Sequence, residues 1–476
     1  MREFLLPTKI INSNKVVNEN YLYQPKGLYP IHFGNPKKQE DFTKLLGLGS
    51  YLILDFGQEM CGGIRMLTGL VEHANAKARI RFGESLGEVN SNIGEKNAQN
   101  AHSPRDFETI ITGSGDLYIG NTGFRYVRID LLEDRFAYIR NIYCFNDMFS
   151  AKQIYDYKGN DQRIRDIFLV AKRTIDLCSA TGYIWDGIKR DRTVWIGDAA
   201  PEVMALMTLY GDVEPIQNTL DAGQESFPIP NYINNISTYS MWWVIILCDY
   251  YETFDKLDYL KSKKDYLLGL QDMFDKLIDE QGNLDPNIRH MVDWPTVKTI
   301  DEDVGIRCIF LLALKKMELL FNVLNISKEK ISKIRAKIEL KPLIVREKKQ
   351  VIALKYFATG SMSDEEYEIL IKDGEKGFST FMSYYILSAI ASRDEKLAID
   401  LMKKYYGAML DKGATSFWED FNIDWCKDSG RIDEMDPHKK DIHGDYGAYC
   451  YLGFRHSLCH GWSTGVIKFI KEHCKD

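Results

Sequence analysis

The chain has no paired cysteines, no long apolar run, no excess of positive charge and no metal or nucleotide motif. Its nine cysteines are scattered singly without a CxxC pair. An odd, unclustered set reads as reduced thiols, not as a disulfide framework or a zinc site, and points to a cytoplasmic protein. The most apolar window, Met241 to Cys248, is far shorter than the roughly 20 residues a membrane span needs. The N-terminal MREFLLPTK holds too short an apolar stretch for a secretory signal. Sixty-one Lys and Arg stand against 68 Asp and Glu, a net charge of -7, so neither nucleic acid nor an anionic membrane is an expected partner. No HExxH or phosphate-binding glycine loop occurs, and no metal or cofactor is expected. What remains is an ordinary globular composition, 45% hydrophobic and 27% charged, over 476 residues, enough for two or three domains.

The first third reads as β structure. YLILDFG (51–57), AKARIRFGE (76–84), FETIIT (107–112), FRYVRIDLL (124–132) and YIRNIYCF (138–145) are short, rich in β-branched and aromatic residues, and punctuated by Gly, Asn and Asp. That pattern predicts an antiparallel β-sandwich over residues 1–148, with 87–105 as a long loop. From Asp161 onward the apolar period changes to three and four, as in Ile164, Ile167, Phe168, Ala171 and Ile175. Further helical stretches at 198–210, 236–256, 263–279, 301–323, 327–338, 364–371, 378–392, 395–410 and 461–473 give ten to twelve helices. Long loops join several of them, which predicts an α/α toroid over 149–476. The Lys/Glu-rich stretch 326–349 reads as a solvated helical surface.

Long loops inside a compact domain are usually functional or disordered. Two of them concentrate Trp, acids, Arg and Gly, a composition unsuited to disorder. The first, Trp185 to Asp198, carries Asp186, Arg190, Asp191, Trp195 and Asp198. Asp198 reads equally well as a helix N-cap. The second, Gly413 to Trp425, sets Glu419 between Trp418 and Phe421, where apolar walls disfavour the carboxylate ion. Trp294, in HMVDWP, adds a loop aromatic that reads equally as a packing residue. Separated carboxylates with tryptophan platforms are what glycoside hydrolysis needs: one acid protonates the leaving oxygen, and the other activates water or attacks the sugar.

DGIKRDRTVWIGD (186–198) and GATSFWEDF (413–421) resemble the α-L-rhamnosidases of glycoside hydrolase family 78. SLCHGWSTG (457–465) is similar to the family's His-containing segment. LDFGQEMCGGIRMLTG (54–69), ARIRFGESL (78–86) and TGFRYVRID (122–130) resemble the β-sandwich that precedes its catalytic domain. The resemblance implies an (α/α)6 barrel and hydrolysis with inversion. It makes Asp191 the general acid and Glu419 the general base, with Asp186, Arg190, Trp195, Asp198, Trp294 and His460 gripping a rhamnose unit. Much of the family has Glu where this chain has Asp191, one methylene shorter. Small rhamnosides or oligosaccharides are the expected substrates. A lyase or a hydrolase of another deoxy-sugar or uronide on the same barrel, and a glycan-binding protein that has lost catalysis, fit the same pattern. Homo-oligomerisation is open, since scattered surface apolars locate no interface.

Overall fold

The computed structural model describes residues 1–23, 42–69, 75–447 and 449–474. Nine strands, β1 (Arg2–Leu5), β2 (Lys9–Asn14), β3 (Val16–Val17), β4 (Thr43–Leu46), β5 (Tyr51–Thr68), β6 (Asn75–Gly83), β7 (Asp106–Thr112), β8 (Asp116–Leu131) and β9 (Phe136–Asp147), form one antiparallel sheet. Its main path runs β3-β4-β9-β5-β8-β6-β7, with β1 on β9 and β2 on β5. The five strands expected from sequence are present, and all but β6 are longer than read. Gly62-Gly63, read as turn punctuation, lies inside the 18-residue β5 at a register shift. A Cβ on Gly63 would come within 2.4 Å of the Ile119 and Gly120 carbonyls of β8, so the glycine allows a bulge where backbones converge. The expected 87–105 loop includes a short helix, α1 (Leu86–Asn90), whose N-cap Ser85 accepts from the Glu88 amide at 3.1 Å.

Beyond Asp147 the chain is helical. In order come α2 (Gln162–Cys178), α3 (Ala199–Tyr210), α4 (Glu214–Ser226), α5 (Ser237–Phe254), α6 (Leu257–Ser262) and α7 (Lys264–Leu277). They are followed by α8 (Glu302–Val323), α9 (Glu329–Glu339), α10 (Lys349–Thr359), α11 (Asp364–Ile371), α12 (Ser383–Ala391), α13 (Glu395–Asp411) and α14 (Val466–His473). Helices α3, α5 and α12 are buried on nearly all sides, whereas α2, α7 and α9 bury one stripe. An all-round apolar helix belongs in a core and an amphipathic one at its rim. The packing obeys that rule: α3 contacts α5, α5 contacts α8, α8 contacts α10, α10 contacts α12, α12 contacts α14, and α14 returns to α3. Helices α2, α4, α9, α11 and α13 each pack against members of that circuit. The sequence reading missed α4, α6 and α10. Helix α10 emerges from the Lys-rich stretch yet buries Val351, Ile352, Ala353 and Leu354. Among the described residues, no helix is long and apolar enough to cross a membrane.

Candidate active site

Three chain segments far apart in sequence lie side by side. Gly187 bridges His460 in antiparallel fashion, and the Gly461 amide donates to the Asp186 carbonyl at 2.8 Å. The His460 amide donates to the Phe417 carbonyl at 2.9 Å, and the Glu419 amide to the Ser457 carbonyl at 3.0 Å. Phe417, Trp418 and Phe421 are fully buried and nail the 417–421 segment into the core. The Glu419 carboxylate, between those aromatics, must therefore find polar partners there.

It finds several. Glu419 Oε1 accepts from an Arg190 guanidinium nitrogen and from the Cys450 thiol, the latter at 2.9 Å, while Oε2 accepts from the Ser457 amide at 2.8 Å. Burial pushes this carboxyl upward, but the Arg190 guanidinium overrides it and holds Glu419 well below the usual carboxylate range. Arg190 is itself fixed: its Nε donates to the Arg455 carbonyl at 2.9 Å, and its plane lies 4.0 Å from the centre of the Tyr451 ring. Its other terminal nitrogen pairs with Asp191 Oδ2. One guanidinium thus joins Asp191 and Glu419, which are 228 positions apart in the chain.

Asp191 stands on a sharp corner. It and Arg192 both adopt left-handed backbone, at φ 57° and 53°, a conformation uncommon for residues with a side chain. Its Oδ1 faces His102 Nε2 at 3.2 Å, an imidazole that the sheet domain sends across. Beyond the corner, Asp186 Oδ1 accepts from the Thr193 amide at 3.1 Å, which folds the loop back on itself. Burial, reinforced by the neighbouring Asp198 and Asp191, carries Asp186 well above the usual range. Asp198 makes no cap bond to α3; it accepts from the Tyr239 hydroxyl at 2.8 Å, and burial raises it to about 7.

These groups border a cavity of about 180 Å³. Asp186, Asp191, Trp195, Asp198, Trp294, Glu419 and His460 all line it, and Arg190 sits behind its two carboxylate partners. His460 Nε2 is 3.9 Å from Glu419 Oε1, while its buried Nδ1 has no hydrogen-bond partner. Burial lowers this histidine to about 3, so it is a neutral imidazole with a ring nitrogen to offer. The structure adds Tyr239, Arg289, Cys450, Tyr451 and Trp462 to the walls. Trp462 lies in a segment singled out by sequence; the others carry no local signal. A larger cavity of about 680 Å³ lies elsewhere, between α1 and the 430–445 loop, and none of the eight sequence-selected residues borders it.

No protein-family model matches the sequence, and no curated protein does. Solved structures do match in three dimensions. A rhamnosidase from Klebsiella oxytoca with rhamnose bound superposes with a TM-score of 0.72 at 17% identity, covering 100% of this chain and 96% of that one. The fold is that of the rhamnosidases. A GH78 family rhamnosidase of Bacillus sp. GL1 gives a TM-score of 0.69 at 17% identity over 89% of this chain. The α-L-rhamnosidase from Dictyoglomus thermophilum gives 0.64 at 15% over 99%. The chain spans 46% and 51% of these two rhamnosidases, against nearly the whole of the first. At such identities the likeness establishes the rhamnosidase fold, an antiparallel sheet domain joined to a large helical one.

Proposed function

We propose that the protein is an inverting glycoside hydrolase that releases terminal α-L-rhamnose from small rhamnosides or oligosaccharides. The observation that carries this reading is the Arg190 guanidinium shared by Asp191 and Glu419 on the wall of a small cavity edged by Trp195 and Trp294. Glu419, kept ionised, is suited to accept a proton from water as that water attacks the anomeric carbon. Asp191, at the exposed end of the pair, holds the general-acid position that the family resemblance implies, the group that protonates the leaving oxygen as the glycosidic bond breaks. The tryptophan faces offer apolar contact to a sugar ring, and Asp186, Asp198 and His460 offer hydrogen bonds to its hydroxyls. The fold shared with a rhamnosidase that holds rhamnose supports the choice of sugar. The circuit α3-α5-α8-α10-α12-α14 supports an (α/α)6 barrel over residues 149–476, and the nine-stranded antiparallel sheet before it is read as the β-sandwich over 1–148. No cofactor or metal takes part in this scheme.

The decisive experiment incubates the purified protein with an aryl α-L-rhamnoside and follows the first-formed anomer by NMR. Release of rhamnose with the opposite anomeric configuration is expected. Asp191→Asn and Glu419→Gln should each lower kcat/KM by at least about 100-fold. Retained configuration would sink the inverting assignment. Rhamnose binding without turnover would favour a glycan-binding protein, and an unsaturated product absorbing in the ultraviolet would favour a lyase.

A further inference from the structure

Directly behind the Arg190–Glu419 pair lies a second, wholly buried ion cluster that the proposed reaction does not use. Lys189 points away from the cavity while its neighbour Arg190 points toward it. The Lys189 ammonium lies 2.9 Å from Glu84 and 3.2 Å from Glu88, both from the sheet domain, with side-chain exposures of 7%, 0% and 1%. The ligand atoms of Glu84, Glu88 and His443 fall within 4.8 Å of one another, a spacing that would suit a metal ion. The ammonium sits between the two carboxylates and so supplies the cation itself, while His443 Nε2, 3.5 Å from it, donates to the His456 carbonyl at 3.0 Å. His443 is neutral there, because burial and then the Lys189 charge hold it well below its ordinary range.

The cluster also grips the strand of chain that cradles Glu419. Lys189 donates to the Phe454 carbonyl at 2.9 Å and the His456 carbonyl at 2.7 Å, while Arg190 takes the Arg455 carbonyl between them. Glu84 accepts from the Ser457 hydroxyl at 2.9 Å and the Leu458 amide at 2.7 Å. The Ser457 amide is the one that donates to Glu419 Oε2. A displacement of this segment would therefore move the catalytic carboxylate and its guanidinium together.

We propose that Lys189 and Glu84 are positioning residues, a rear ion pair through which the sheet domain sets the geometry of Arg190, Asp191 and Glu419. The role rests on the hydrolytic reading of that site. Buried groups that orient a reacting group commonly change rate by 10- to 100-fold without touching substrate, because displacements near 1 Å matter.

The test compares the full-length protein with Lys189→Met, Glu84→Gln and Lys189→Ala, using an aryl rhamnoside and site-resolved amide exchange. Lys189→Met and Glu84→Gln should lower kcat by roughly 10- to 100-fold while KM moves less than about threefold. Exchange at the Ser457 amide should quicken by about tenfold or more. Propylammonium should restore part of the activity of Lys189→Ala, since it can occupy the vacated ammonium position. Wild-type kcat in Lys189→Met would overturn the proposal. So would a loss of rate with Ser457 exchange unchanged and no rescue by the amine. Should Lys189→Met fail to fold, the Lys189→Met/Glu84→Gln pair, which removes both charges, carries the same exchange measurement. If the wild-type protein cleaves no rhamnoside, the hydrolytic reading fails alone, and Ser457 exchange still decides whether the rear pair holds the cradle.

Discussion

At the scale of single residues, the site shows how opposite environments separate carboxylates that are chemically alike. Glu419 and Asp198 border the same cavity and are both buried, yet one is driven down and the other up. The difference is a cation: Arg190 faces Glu419, whereas Asp198 has a neutral tyrosine hydroxyl. Arg190→Met should thus remove the main charge that opposes burial at Glu419 and move the acidic limb of the kcat/KM profile upward by more than about one pH unit. An unmoved limb would show that another group controls it. Breaking this buried pair should also cost about 3–5 kcal/mol in urea unfolding at neutral pH. Asp198 gives the opposite sign. Its folded value of about 7 lies above the unfolded value near ~3.9, so its stabilising proton is fully retained below about pH 4. That contribution is lost as pH rises through 7. Asp198→Asn, which does not titrate, should gain stability over wild type across that window, on the order of a few kcal/mol by pH 8. Parallel pH–stability curves for the two proteins would refute the assignment.

At the scale of elements, helix α3 closely approaches the 461–465 segment, which holds the Trp185–Asp198 loop through its Gly461 amide. Gly461 packs on Glu202 of α3, where an added Cβ would fall 1.9 Å from the carboxyl Oε1. Glu202 is buried without a partner for that oxygen, and burial raises it well above the usual range. Gly461→Ala should destabilise the protein by about 1–3 kcal/mol through overpacking. It should also slow turnover, because the Gly461 amide holds the Asp186 carbonyl. The stability penalty should shrink when Glu202→Ala is added, and a double-mutant cycle in guanidinium chloride reads that coupling. An additive cycle would place the cost elsewhere. Elements were legible where their period was strong. Helix α2, with its Asp161 cap accepting from the Arg163 and Ile164 amides at 2.9 and 3.2 Å, begins where the sequence places it. Helix α10 was not, because charged residues at its start mask a short buried run.

At the scale of the whole molecule, the sheet domain is a working part of the site. Glu84 holds residues 457 and 458, Arg125 pairs with Asp55 and reaches the Gly413 carbonyl at 3.4 Å, and Arg173 of α2 donates to the Glu59 carbonyl at 3.0 Å. Such buried polar contacts cannot be surrendered one at a time without leaving unpaired groups. Calorimetry should accordingly show one cooperative transition for the full chain. Residues 149–476 expressed alone should lose the near-ultraviolet circular dichroism of packed aromatics or aggregate. Two resolved transitions would mean that the two parts fold independently.

The sequence by itself determined the elements and the chemical inventory. Alternating and helical apolar periods express local burial, and the two acid- and tryptophan-rich loops carry their composition openly. The six site residues selected from those loops, together with Trp294 and His460, are assembled at one place, seven on the cavity wall and Arg190 behind its carboxylates. Only the tertiary structure decided what each residue faces. Asp198, as suited to capping as to binding by its local context, turns to Tyr239; His102 comes across from a segment read as a long loop; and Lys189 turns away from the cavity. The physical reason is that the protonation and orientation of a buried charge are fixed by partners within a few ångströms in space. Those partners lie tens to hundreds of positions away in the chain, where no local pattern records them.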